Sequence, residues 1–129
     1  MIQFKREDSM SIHLLFNNTG LTQILESLKS ALKGEQASIN GQIDALVISM
    51  KKAEMLDSCI EIEYTESGET QLLKQSNQVL WILDKDDIEV AIERLEQCKT
   101  DGYFSPAEFI RVQIPKNKKM DYIYCELKT

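Results

Sequence analysis

Two runs of carboxylates are the chemistry this chain displays most openly. One, Asp84, Asp86, Asp87, Glu89 and Glu93, lies in the stretch from Val79 to Cys98, VLWILDKDDIEVAIERLEQC. The other, Glu61, Glu63, Glu66 and Glu69, lies in CIEIEYTESGE. Side chains of this kind can attract a cationic partner, hold a hard metal ion, or serve only as a solvated face. DKDD looks like the opening of a calcium loop, but the glycine and glutamate that complete such a loop do not follow at the right spacing, so no metal site is expected. Glu89 and Glu93 stand one helical turn apart, a like-charge pair costing roughly 0.2–0.5 kcal/mol. The formal charge of −6 disfavours nucleic acid and anionic membrane as partners and favours a basic protein. Solubility explains the same sign equally well, and Lys116, Lys118 and Lys119 offset it at one tip.

Other reactive groups are sparse. His13 is the only histidine, and no local pattern supplies the carboxylate that would orient it as a base. Cys59, Cys98 and Cys125 form no CxxC pair, which argues against a disulfide framework or a zinc site. They read as reduced, mostly buried thiols. Cys98 falls near a helix C-terminus and the other two beside Glu61 and Glu126, settings that oppose a thiolate. GxSxG, GxxxxGK and GxGxxG are all missing from the chain. The expectation is a non-catalytic protein without a cofactor.

Those side chains need elements to position them. Ile12, Leu14 and Phe16 alternate with His13 and Leu15 as in a strand, and Asn17-Asn18-Thr19-Gly20 offers caps for a helix. Leu21, Ile24, Leu25, Leu28 and Leu32 recur at helical spacing up to a stop at Gly34. EQASINGQ reads as a loop, Ala45 to Met50 (ALVISM) as a strand, and Ser58 to Glu66 as a half-buried strand. Glu69 to Lys74 reads as its short hairpin partner across Ser67-Gly68. Val79 to Leu83 reads as a central strand. Asp84 then caps a helix whose buried stripe is Ile88, Ala91, Ile92, Leu95 and Cys98, ending at Asp101-Gly102. Strands follow through Phe109, Ile110, Val112 and Ile114, and from Asp121 to Lys128, joined by the tip Lys116 to Lys119. Met1 to Met10 either adds a short strand or frays.

The pattern repeats. Sliding the first helix by 67 positions places Leu21 on Ile88, Leu25 on Ile92 and Leu28 on Leu95. A different offset, 64, places Ile48-Ser49-Met50 on Val112-Gln113-Ile114. The expected fold is therefore α+β: a mostly antiparallel sheet with two helices on one face, built from two similar strand-helix-strand-strand halves. A single domain spans residues 1–129, with halves of about 11–66 and 78–128. The 43% hydrophobic and 28% charged fractions suit a soluble globular chain. With no spanning apolar run and a charged N-terminus, a cytoplasmic address is expected.

Tyr103-Phe104 and Tyr122/Tyr124 are the aromatics expected nearest the surface, where packing and interface roles are both open. The stretch LWILDKDDIEVAIERLEQCKTDGYFSPAEFIRV, with its tryptophan strand, acidic helix and SPAEF return, together with CIEIEYTE, resembles bacterial toxin immunity proteins, including those of contact-dependent growth inhibition. That resemblance implies a cytoplasmic inhibitor that occludes a cognate toxin domain, often a basic nuclease, with carboxylates standing where substrate phosphates would sit. The alternative is a regulatory or scaffold module that homodimerises through a sheet edge. An enzyme would require a cleft that gathers His13 with a carboxylate, or a low-pKa cysteine.

Overall fold

The computed structural model describes residues 1–48, 52–75, 78–115 and 119–129. Its elements are β1 (Ile2–Arg6), β2 (Ser11–Phe16), α1 (Asn18–Leu32), β3 (Ala37–Asp44), β4 (Met55–Thr65), β5 (Gln71–Gln75), β6 (Gln78–Asp84), α2 (Lys85–Asp101), β7 (Glu108–Ile114) and β8 (Lys119–Leu127). The strands close into a barrel in the order β1-β2-β8-β7-β5-β6-β4-β3. Pairing alternates around the ring. It is antiparallel in β1/β2, β3/β4, β5/β6 and β7/β8, and parallel in β1/β3, β2/β8, β4/β6 and β5/β7.

The expected α+β arrangement, a mostly antiparallel sheet with both helices on one face, is therefore wrong. Each helix is preceded by a hairpin of two strands, not by one strand. The additional strands, β1 and β5, supply the parallel joints to β3 and β7 that complete the ring, so no strand is left as a bare edge among the described residues. Glu69 to Lys74 does not fold back on β4; β5 instead pairs with β6, Leu72 opposite Trp81.

Two further segments differ from expectation. EQASINGQ supplies most of β3, whose Ala37, Ile39 and Ile43 point into the core on an alternation that breaks at Gly41. Asn40-Gly41 resembles a turn signal, yet it sits within the strand because β1 crosses it closely. A Cβ on Gly41 would lie 2.8 Å from the Ile2 carbonyl oxygen. Ala45 to Ile48 forms a turn, held by the Val47 amide donating to the Asp44 carbonyl at 2.8 Å, and Val47 and Ile48 join the core. Ser49 and Met50 lie outside the described residues, as do Lys116 and Lys118 of the expected tip.

The two helices lie against each other, Lys29 pairing with Glu96 at 3.0 Å, and turn their apolar faces to the core that the strands line. Trp81 is fully buried at the centre, meeting the Phe4 ring edge-on at 5.5 Å and Phe109 at 6.5 Å. Among the described residues its indole nitrogen has no hydrogen-bond partner. Such edge-on aromatic pairs contribute about 0.5–1.5 kcal/mol beyond the area they bury.

Exchanging β1, β2, α1, β3 and β4 with β5, β6, α2, β7 and β8 leaves the ring and every pairing direction unchanged. Details follow the exchange. Gln3 pairs with Gln42 at one parallel joint, and Gln71 with Gln113 at the other. Ser27 of α1 donates its hydroxyl to the Ser38 carbonyl at 3.4 Å. Arg94, at the equivalent position of α2, donates to the carbonyls of Glu108 and Pro106.

Candidate functional site

The carboxylates must be placed on this ring one by one. β4 and β6 run parallel, and their C-terminal ends meet where Thr65 faces Asp84. The loop after β4 carries Glu66 and Glu69, both exposed, and leads into buried Thr70. The chain after β6 enters α2 at once, because the Asp84 side chain accepts from the Asp87 amide at 2.8 Å. Thr70 ties the two segments together. Its hydroxyl accepts from the Asp84 amide at 3.1 Å and donates to the Asp87 carboxylate. Glu66, Glu69, Asp84, Asp86 and Asp87 thus share one rim of the barrel, with Lys85 the cation among them.

The other expected residues spread away from this rim. Glu61 and Glu63 point outward from β4 beside Leu80 and Ile82 of β6. With Glu35 and Tyr64 they line an open groove of about 380 Å³ at the C-terminal end of α1. Glu89 and Glu93 lie on the exposed side of α2, and Glu93 borders a smaller hollow, about 130 Å³, with Arg94, Asp101 and Tyr103.

Burial, and after it the neighbouring charges, leave a mark on Asp87. Desolvation raises its pKa above the ordinary 3.8, the Thr70 hydrogen bond opposes that rise, and the charges of Asp84 and Asp86 add to it, while Arg111 pulls the other way. The helix N-terminus stabilises nearby anions by about 0.3–1 kcal/mol each, which accounts for acids in the first turn of α2. Glu66 and Glu69 belong to no helix. Thr70 and Arg111 escaped sequence reasoning, since a lone threonine after a glycine turn and a lone arginine in a strand carry no pattern.

His13 faces outward from β2, its Nδ1 3.1 Å from Glu7 Oε1 and its Nε2 3.7 Å from Glu126 Oε2. Folding does bring carboxylates to the histidine, but on the barrel's outer wall, not in a cleft. The cysteines divide. Cys98 and Cys125 are buried and free, and burial pushes both thiols up, Cys125 far up. Cys59 is exposed, contrary to expectation, because β4 turns it outward opposite Asn40. It borders a groove of about 570 Å³ between the start of β1 and the outer side of β3 and β4.

A second charged group was invisible in the sequence. Arg6 grips buried Asp121 with two nitrogens, at 2.7 and 3.4 Å, while its backbone amide reaches Asp44 at 3.3 Å. This group ties β1 to β8 and to the end of β3, a closure device and not a reactive centre. Among the described residues no group of three or more His, Cys, Asp or Glu is placed to hold a metal ion. No helix among them is long and apolar enough to cross a membrane. Comparison of the chain with protein-family models, with curated proteins and with solved structures finds no match.

Proposed function

We propose that the chain is a non-catalytic binding protein whose acidic rim receives a cationic protein, in the manner of a cytoplasmic immunity protein that occludes a basic toxin domain such as a nuclease. The observation that carries this reading is an asymmetry inside a symmetric fold. The half exchange maps Asp84, Asp86 and Asp87 onto Asn17, Thr19 and Gly20, and Thr65, which leads into the loop of Glu66 and Glu69, onto Lys128, and none of these counterparts is acidic. The helix start accounts for Asp84, Asp86 and Asp87, and it does not account for Glu66 and Glu69, which belong to no helix yet gather at the same rim. Desolvation raises the pKa of Asp87, and the charges of Asp84 and Asp86 add to that rise.

Occlusion needs a rigid surface more than a pocket. Asp84 is fixed as a cap and Asp87 by Thr70, so these carboxylates are presented without further loss of side-chain freedom. Glu66, Glu69 and Asp86 remain exposed and steer the encounter, which makes association fast and sensitive to salt. Self-association through a sheet edge is less well supported, because among the described residues every strand already has a neighbour on both sides.

The test is capture of a basic protein by the tagged chain from the cells that make it, at low and at high salt. A stoichiometric partner released by salt, whose activity the chain blocks, is the expected result. A chain that sizes as a dimer and captures nothing basic would end this reading.

A further inference from the structure

We propose that the basic partner of the acidic rim also docks on the outer wall formed by β4, β6 and β5, setting apolar side chains there between its lysines or arginines; this rests on the rim's being a binding surface for a cationic protein. Strand alternation puts Leu72, Val79, Trp81 and Leu83 in the core and turns Leu73, Leu80 and Ile82 outward, clear of that core. The register arranges the wall in two rows: Glu61, Leu80 and Leu73, then Glu63, Ile82 and Gln71. Two residues further along β4 and β6, Thr65 meets Asp84, so the second row adjoins the rim. Leu80 is only 6% exposed, while Leu73 and Ile82 are partly open to solvent.

The half exchange supplies the contrast. In the first half the equivalent rows are Tyr124, His13 and Lys5, then Glu126, Leu15 and Gln3. That wall balances its own charge: Lys128 lies 3.2 Å from Glu126, and Lys5 and His13 stand where the other wall has Leu73 and Leu80. In the second half, among the described residues, neither Glu61 nor Glu63 has a cation within 4.0 Å. The strands beside them offer leucine, isoleucine and an amide. An apolar centre bordered by unpaired carboxylates has the anatomy of a protein interface, and its charge complement is a basic, partly apolar surface. A second copy of this chain, at a net charge of −6, would set carboxylates against carboxylates.

The test titrates two defined probes, an alternating leucine–lysine hexapeptide and hexalysine, into the full chain and follows its backbone amide resonances. The mixed peptide should shift Leu73, Leu80 and Ile82 saturably together with the rim, and hexalysine should shift the rim alone. Leu73→Gln leaves the charge unchanged at a position whose counterpart, Lys5, is already polar. It should weaken the mixed peptide about tenfold and leave hexalysine unaffected. Should that variant fail to fold, Ile82→Thr makes the same comparison. If the mixed peptide moves the rim and not the wall, or if the variant weakens both peptides equally, the wall proposal is overturned while the rim reading stands. If neither peptide moves rim or wall, both fall. Wall shifts that follow the chain's own concentration without peptide would assign the face to a second copy and overturn the proposal.

Discussion

The two halves of this barrel, Ile2–Thr65 and Gln71–Leu127, share their strand pairing and differ in what they place at equivalent points. In the first half the start of α1 lies directly beneath β1. A Cβ on Gly20 would come within 2.2 Å of the Met1 carbonyl oxygen, so the space is filled by backbone. In the second half the equivalent residue is Asp87, and its carboxylate reaches across to Thr70. One half spends the helix start on close packing, the other on charge. Architecture sets where a loop and a helix start must meet; side chains decide what that meeting is for.

The same contrast recurs at the opposite end of the hairpins. Arg6 makes the buried pair with Asp121, whereas Lys74, its counterpart on β5, is exposed. Arg6→Ala leaves a nearly fully buried carboxylate uncompensated and should cost about 3–5 kcal/mol in chemical denaturation. Lys74→Ala should stay within about 0.5 kcal/mol. Equal effects would mean that the halves do not differ there.

Gly20→Ala is the next largest. The added methyl forces Met1 and Ile2 away from the helix and should cost about 1–3 kcal/mol, read from the same denaturation curves. An unchanged midpoint would show that β1 does not press on α1 as described.

Asp87→Asn should have the smallest effect on stability, and its sign is the informative part. Because the pKa of Asp87 is raised in the folded chain, the folded state holds the proton more tightly than the unfolded one. The associated stability is present below the ordinary value of 3.8 and is lost as pH rises through the folded value. Asparagine can still accept from Thr70 but has no charge to desolvate. The variant should be as stable as the unaltered chain or slightly more so at neutral pH, with a flatter pH profile just above the ordinary carboxylate range. A steeper profile would contradict the burial of Asp87 and the Asp84 and Asp86 charges that together raise its pKa.

The two helices were legible from sequence because helices announce themselves. Leu21, Leu25 and Leu28 match Ile88, Ile92 and Leu95, and both caps, Asn17 and Asp84, fall where expected. What was lost is strand-level. Asn40-Gly41 carries a turn signature for a reason that lies in another strand, the passage of Ile2. ALVISM has the composition of a strand, yet Ala45 to Ile48 turns inward to join the core. With EQASINGQ read as a loop, the offset of 64 matches Ile48 to Val112, and the strands are too few to close a ring. The acidic residues were readable as types, but not as a rim. Their gathering depends on the parallel β4/β6 pairing and on Thr70, both long-range.

The measurement that tests the central claim most directly uses the fold's own symmetry as its control. A captured basic partner would be titrated against Glu69→Lys/Asp86→Lys at the acidic rim and against Thr19→Lys, which adds a cation at the position equivalent to Asp86. The account predicts a large, salt-sensitive loss of affinity for the first variant and little change for the second, with both chains folded. Equal loss in both would reduce the rim to net charge alone. An unaffected first variant would contradict the claim outright.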